Sequence, residues 1–132
     1  MTNKHQRVEA LKGLLQRDNR ILFSLLFGSQ ARGDASEQSD WDIAIWLTDN
    51  SNPFDNLGVI EDIRSAVAHC LELDQDHVDL VDLRRSALSI NASIVEEGVV
   101  MSGDGTLELP RFYQRIWALL ENNYMYRLYG AQ

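Results

Sequence analysis

Val8, Leu11, Leu14 and Leu15 recur at helical spacing among Lys, Arg and Gln, which predicts an amphipathic helix from about Asn3 to Arg17. Asp18-Asn19 interrupts it. Ile21 to Phe27 is a continuous apolar run broken only by Ser24, the pattern of a short strand buried on both faces, and it stops at Gly28. The polar, Gly-containing stretch from Gly28 to Ser39 allows a helical turn around Ala31. From Asp40 onward Trp41, Ile43, Ile45 and Leu47 alternate with Asp42, Ala44 and Trp46, so a second strand starts there. Asn50 to Pro53 reads as a turn, with Asn52-Pro53 suited to starting a helix. Leu57, Ile60, Ile63, Val67 and Cys70 or Leu71 then mark a long second helix.

Val78 to Leu83 predicts a third strand. Ser86 is a candidate cap for a helix carrying Ala87, Ile90 and Ile94, and Gly98 stands where a helix end favours a left-handed residue. Val99 to Met101 predicts a short edge strand, Ser102 to Gly105 a loop, and Leu109 to Leu128 a last helix. Strands alternating with helices predict an α/β (α+β) layer: a small mixed sheet with flanking helices, covered on at least one face, with some parallel pairing.

At 132 residues the chain is one domain's length, and we expect a single domain over 1–132. Its 45% hydrophobic and 24% charged residues suit a globular fold. The net charge of −8 argues against a broad basic footprint for nucleic acid. Cys70 is the only cysteine, which removes disulfide frameworks and Cys-x-x-Cys metal knuckles. The N-terminus is polar, without a signal-peptide pattern, and no apolar run approaches a membrane span, so the sequence predicts a cytoplasmic protein without membrane contact.

The candidate chemistry lies in Phe27-Gly28-Ser29-Gln30-Ala31-Arg32-Gly33 and Ser39-Asp40-Trp41-Asp42-Ile43. A strand ending in Gly28-Ser29 and turning into a helix offers free backbone N–H groups to an anion; Ser29 adds a hydroxyl and Arg32 a countercharge. Asp40 and Asp42 stand two apart at a strand start, so their side chains leave one face, with Cα atoms roughly 6.5 Å apart at ~3.3 Å per residue. That separation suits carboxylates clamping divalent metals ~3.5–4 Å apart, and Mg²⁺ takes such oxygen ligands together with substrate phosphates. A third carboxylate on a neighbouring strand is Asp79 or Asp82, which face opposite ways. We take Asp79: it lies near its strand start among apolar neighbours, where an ionised carboxylate is costly without a partner. Other chemistries lack their residues. There is no P-loop motif; Ile45 stands where an EF-hand needs Gly; Ser29 has no nucleophile elbow; and His5, His69 and His77 lack metal-ligand spacing.

The combination resembles the polymerase-β-like nucleotidyltransferase superfamily, and within it the minimal nucleotidyltransferases. The pattern of Gly-Ser, about ten residues, then Asp-x-Asp followed by apolar residues stands here as Gly28-Ser29, Gln30 to Ser39, and Asp40-Trp41-Asp42-Ile43-Ala44-Ile45. Val78-Asp79-Leu80-Val81 and Glu97-Gly98-Val99-Val100 resemble the family's third-aspartate strand and its closing edge strand, so the likeness runs roughly from Leu14 to Met101. The resemblance implies a polymerase-β-type palm that transfers a nucleoside monophosphate from a triphosphate to an acceptor hydroxyl and releases pyrophosphate. Asp40 and Asp42 would hold two Mg²⁺, and Asp79 would bind the metal next to the acceptor and help deprotonate it. Gly28 and Ser29 would hold the β- and γ-phosphates, with Arg32 as countercharge.

Minimal nucleotidyltransferases commonly pair with a small helical HEPN ribonuclease toxin. The resemblance therefore implies an antitoxin that moves AMP from ATP to a tyrosine hydroxyl of that toxin, possessing ATP and the HEPN protein as partners in a hetero-oligomer. The last helix supports a partner-docking role over about 109–129: one row reads Phe112, Ile116, Leu120, Tyr124, Leu128, and a second reads Tyr113, Trp117, Glu121, Met125, Tyr129. One row suffices to pack the helix on its sheet, and Tyr, Trp and Met are enriched at interfaces. The competing functions are a non-enzymatic module that blocks its partner by binding, and a transferase acting on a small molecule.

Overall fold

The computed structural model describes residues 3–49 and 52–129. The first helix, α1 (Lys4–Arg17), opens on a reciprocal cap: Asn3 accepts from the Gln6 N–H while the Gln6 side chain accepts from the Asn3 N–H. Strand β1 (Ile21–Phe27) runs into the one-turn helix α2 (Ser29–Arg32), and β2 (Trp41–Leu47) follows an irregular loop. Asn52 caps α3 (Pro53–Leu71), its side chain accepting from the Phe54 N–H, with Pro53 in the first turn where a missing N–H costs nothing. Residues 50 and 51 of the expected Asn50–Pro53 turn lie outside the described residues. A 3₁₀ turn (Gln75–His77) leads into β3 (Val78–Asp82), followed by α4 (Leu88–Glu97), β4 (Val99–Ser102) and α5 (Glu108–Tyr129).

The sheet has the order β3-β2-β1-β4. β1 is antiparallel to β2 and to β4, while β2 and β3 are parallel, joined through the long crossover α3. The sheet is therefore mixed, and the short β4 is an edge strand as its length suggested. Both faces are covered. On one, Leu11 and Leu15 of α1 and Ile63, Val67 and Leu71 of α3 pack on Ile43, Ile45, Leu47 and Leu80. On the other, Ile94 and Val95 of α4 and Leu109, Phe112 and Ile116 of α5 pack on Phe23, Leu25 and Ala44. A register shift between Ile21 and Phe23 lets β1 serve both: Ile21 joins the first cluster and Phe23 the second, the reversal of face that an extra strand residue produces.

Two local expectations are corrected. Gly98 is extended (φ −66°, ψ 141°), not left-handed, because α4 passes directly into β4. Glycine is required there by space: a Cβ would overlap the Ile94 carbonyl oxygen and press on Leu25. Ser86 does not cap α4. Ala87 holds the cap position without a side-chain bond, while the Ser86 hydroxyl bonds Asn91 Oδ1 at 2.5 Å. The last helix buries only the start of its apolar row. Phe112 and Ile116 are covered, Leu120 partly, and Tyr124 is 61% exposed; the side chains of residues 125–129, Leu128 among them, lie outside the described residues. Trp117 of the second row is 54% exposed. No helix among the described residues is long and apolar enough to cross a membrane.

Candidate active site

Three strand ends meet at one end of the sheet. Because β1 and β2 are antiparallel, the last residue of β1, Phe27, pairs with Asp42 near the start of β2. Because β2 and β3 are parallel, Asp42 pairs in turn with Asp79 near the start of β3. Residues in register on adjacent strands project from the same face, so the two aspartates stand side by side. Their face is the one carrying Ala44, Trp46 and Val81, beneath α4 and α5.

Asp82 goes elsewhere. It pairs with Ile45, whose side chain lies in the α1–α3 core, and its carboxylate, only 9% exposed, is bound by Arg85 Nη1 at 2.7 Å. Asp79 is thus the β3 carboxylate beside Asp42. Asp40 immediately precedes β2; its Oδ1 lies 3.4 Å from Nδ1 of His77, the residue just before β3. His77, which spacing gave no role, neighbours the carboxylate group from the next strand over.

Gly28 forms the floor of the site. It adopts φ +73° and ψ −157°, a conformation that L side chains avoid. A Cβ at this position would also overlap Asp42 Oδ2. Backbone and carboxylate approach each other closely here, and only glycine permits it. After it, Ala31 and Arg32 N–H groups both return to the Gly28 carbonyl, and left-handed Gly33 closes the turn onto Ser29. Gln30 is buried and donates to the Ser39 carbonyl at 3.5 Å, tying the turn to the loop that delivers Asp40.

Arg32 is anchored at the rim by Asp34, through Nε at 3.1 Å, and by Glu97, through Nη1 at 3.1–3.2 Å to both oxygens. Glu97 Oε1 also accepts the Gly28 N–H at 3.1 Å. Sequence reasoning gave Glu97 no role in the site. Its neighbour Gly98 marked an edge strand, but nothing local pointed to Gly28, 69 positions earlier.

The electrostatics single out Asp42. Its carboxyl is pushed up from 3.8 to about 6, first by burial, then by the negative charges of Asp79 and Asp40; Arg32 opposes the shift and Glu97 adds slightly to it. Carboxylates with more negative charge than nearby cations balance are a donor set of hard oxygens, the chemistry that suits Mg²⁺. Asp40, Asp42 and Asp79 are the residues that could hold such an ion. Among the described residues, no three His, Cys, Asp or Glu side chains are gathered tightly enough to enclose an ion as they stand.

The fold has known relatives. The model of the family "Polymerase beta, Nucleotidyltransferase" matches residues 9–104. Comparison with curated proteins finds no match. Among solved structures, the chain is similar to one in a complex of tri-AMPylated Shewanella oneidensis HEPN toxin with MNT antitoxin, with a TM-score of 0.67 and 22% identity, covering 96% of this chain and 93% of that one. It is also similar to a chain of a toxin–antitoxin crystal structure with AMP-PNP, with a TM-score of 0.64 and 23% identity over 96% of this chain and 94% of that one. A MntA–HepT toxin–antitoxin structure has a TM-score of 0.60 and 20% identity, over 95% and 90% of the two chains. At these identities the likeness is one of fold, and the family model spans well over half of the sequence. The chain belongs to the polymerase beta nucleotidyltransferase family.

Proposed function

We propose that this protein is a Mg²⁺-dependent antitoxin that transfers AMP from ATP to a tyrosine hydroxyl of a HEPN ribonuclease toxin in the cytoplasm, and so neutralises it. The observation that carries the reading is the meeting of Asp42, Asp79 and the Gly28 turn at one end of the sheet. The solved relatives support the donor and the partner, since they include a complex with AMP-PNP and one with an AMPylated HEPN toxin.

In this mechanism the Gly28 N–H, the Ser29 hydroxyl and Arg32 hold the β- and γ-phosphates. Asp40 and Asp42 would hold two Mg²⁺, with Asp79 on the metal next to the acceptor. When bound, Mg²⁺ supplies charge neutralisation on the phosphates and acidifies the acceptor hydroxyl. The acceptor oxygen forms a bond to the α-phosphorus, the bridging bond to the β-phosphate breaks, pyrophosphate leaves and the hydroxyl proton passes to Asp79. The protein's own contribution is alignment and electrostatics, which is why few further side chains are required.

The test is the ribonuclease activity of a purified HEPN partner after incubation with this protein. With Mg²⁺-ATP the wild type abolishes that activity; with α,β-methylene-ATP, whose α–β bond cannot be cleaved, or with Asp42→Asn, the activity persists. A second reading, a binding module that blocks its partner without chemistry, draws on the exposed Trp117, Leu119 and Tyr124 of α5. Equal neutralisation by ATP and α,β-methylene-ATP would favour it.

A further inference from the structure

The cradle that the proposed reaction assigns to the triphosphate holds a carboxylate of the chain itself. Glu97, the last residue of α4, accepts the Gly28 N–H at 3.1 Å and receives Arg32 Nη1 at 3.2 and 3.1 Å on its two oxygens. A carboxylate and a phosphate present the same acceptor chemistry to a backbone N–H and a guanidinium. The single Gly28 N–H cannot serve both at full strength, and a retained Glu97 would set one more negative charge against an already anionic ligand.

The surroundings allow the side chain to leave while the backbone stays. Leu26 pairs with Val99, so the chain just after Glu97 is held in the sheet. Gly98 is fixed by close packing on Ile94 and Leu25. The Glu97 side chain is about a quarter exposed and reaches the solvent boundary. Arg32 keeps a second hold through Nε on Asp34, so the departure of Glu97 frees Nη1 without releasing the guanidinium.

We propose that Glu97 is an internal competitor for the phosphate cradle, whose carboxylate must leave Gly28 and Arg32 before a nucleoside triphosphate seats there. The inference rests on the reading above, that Gly28 and Arg32 bind the phosphates. It makes Glu97 a brake on nucleotide affinity, so that removing its charge improves binding where loss of an ordinary supporting contact weakens it.

Isothermal titration of the full chain with Mg²⁺ and AMP-PNP, and separately with adenosine, tests this in wild type, Glu97→Gln and Arg32→Ala. Glu97→Gln is expected to bind AMP-PNP about tenfold more tightly and to leave adenosine affinity unchanged; Arg32→Ala is expected to weaken AMP-PNP. Should Glu97→Gln fail to fold, the shortened carboxylate of Glu97→Asp is expected to act in the same direction. If Arg32→Ala weakens AMP-PNP while Glu97→Gln leaves it unchanged or weaker, Glu97 is a support and the proposal is overturned, with the phosphate reading intact. If Arg32→Ala binds AMP-PNP as the wild type does, the phosphate reading fails and the proposal falls with it.

Discussion

Replacing Asp42 by Asn removes a charge while keeping the shape of the side chain, and its effect on stability is set by the cause of the Asp42 shift. The folded protein holds this carboxyl near 6 against an ordinary value of 3.8, through burial and the charges of Asp79 and Asp40. The folded state therefore keeps the proton to higher pH than the unfolded chain does. Ionisation costs nothing below about pH 4, the penalty grows as pH rises between about 4 and 6, and it is complete above that. At ~1.36 kcal/mol per pH unit the full displacement is worth roughly 3 kcal/mol; partial solvent exposure of Asp42 screens this to about 1–2 kcal/mol.

Asp42→Asn is thus expected to be the more stable protein in EDTA at pH 7.5, by roughly 3–8 °C in Tm for a domain of this size. The advantage should fade towards pH 4. Thermal unfolding followed by circular dichroism at the two pH values measures it. The same variant should be inactive, so stability and activity move in opposite directions, as at a site built for a bound cation. Equal stability at pH 7.5, or a gain of the same size at pH 4, would refute the electrostatic argument.

Gly28→Ala forces a Cβ into a left-handed backbone position and against Asp42, and should cost about 1–3 kcal/mol in chemical denaturation while abolishing transfer. The two β3 aspartates should separate cleanly. Asp79→Asn is expected to remove transfer with stability changed by less than about 0.5 kcal/mol. Asp82→Asn, which leaves Arg85 without its partner, should lose about 1–3 kcal/mol yet keep activity. Trp117→Ala, whose ring is half exposed and touches Tyr113, should leave Tm within a few degrees but weaken partner binding about tenfold or more in a surface-plasmon assay.

How far the sequence carried these conclusions depended on whether an interaction was local. Alternation from Trp41 to Leu47 and the apolar run from Ile21 to Phe27 placed both central strands to within a residue, although both strands are buried on both faces. Asp79 was preferred to Asp82 for its place near the strand start among apolar neighbours; the register does put it beside Asp42, but its side chain is exposed, and the nearly buried carboxylate is Asp82, held by Arg85. What stayed hidden was long-range. The contacts of Glu97 with Gly28 and Arg32, and of His77 with Asp40, depend on which strand ends share one end of the sheet. Gly98 misled because glycine at a helix end serves left-handed turns and close packing alike, and only the neighbouring Ile94 and Leu25 reveal which.

The central claim is chemical, that the Asp40–Asp42–Asp79 site moves a nucleotide onto a protein hydroxyl. It is tested most directly by intact mass spectrometry of a HEPN partner incubated with this protein and Mg²⁺-ATP, wild type beside Asp42→Asn. The account predicts one or more AMP-sized mass increments with the wild type, each located to a tyrosine by fragmentation, and none with the variant. An unmodified partner held in a stable complex with either protein would contradict it, and would mean that the fold acts by binding alone.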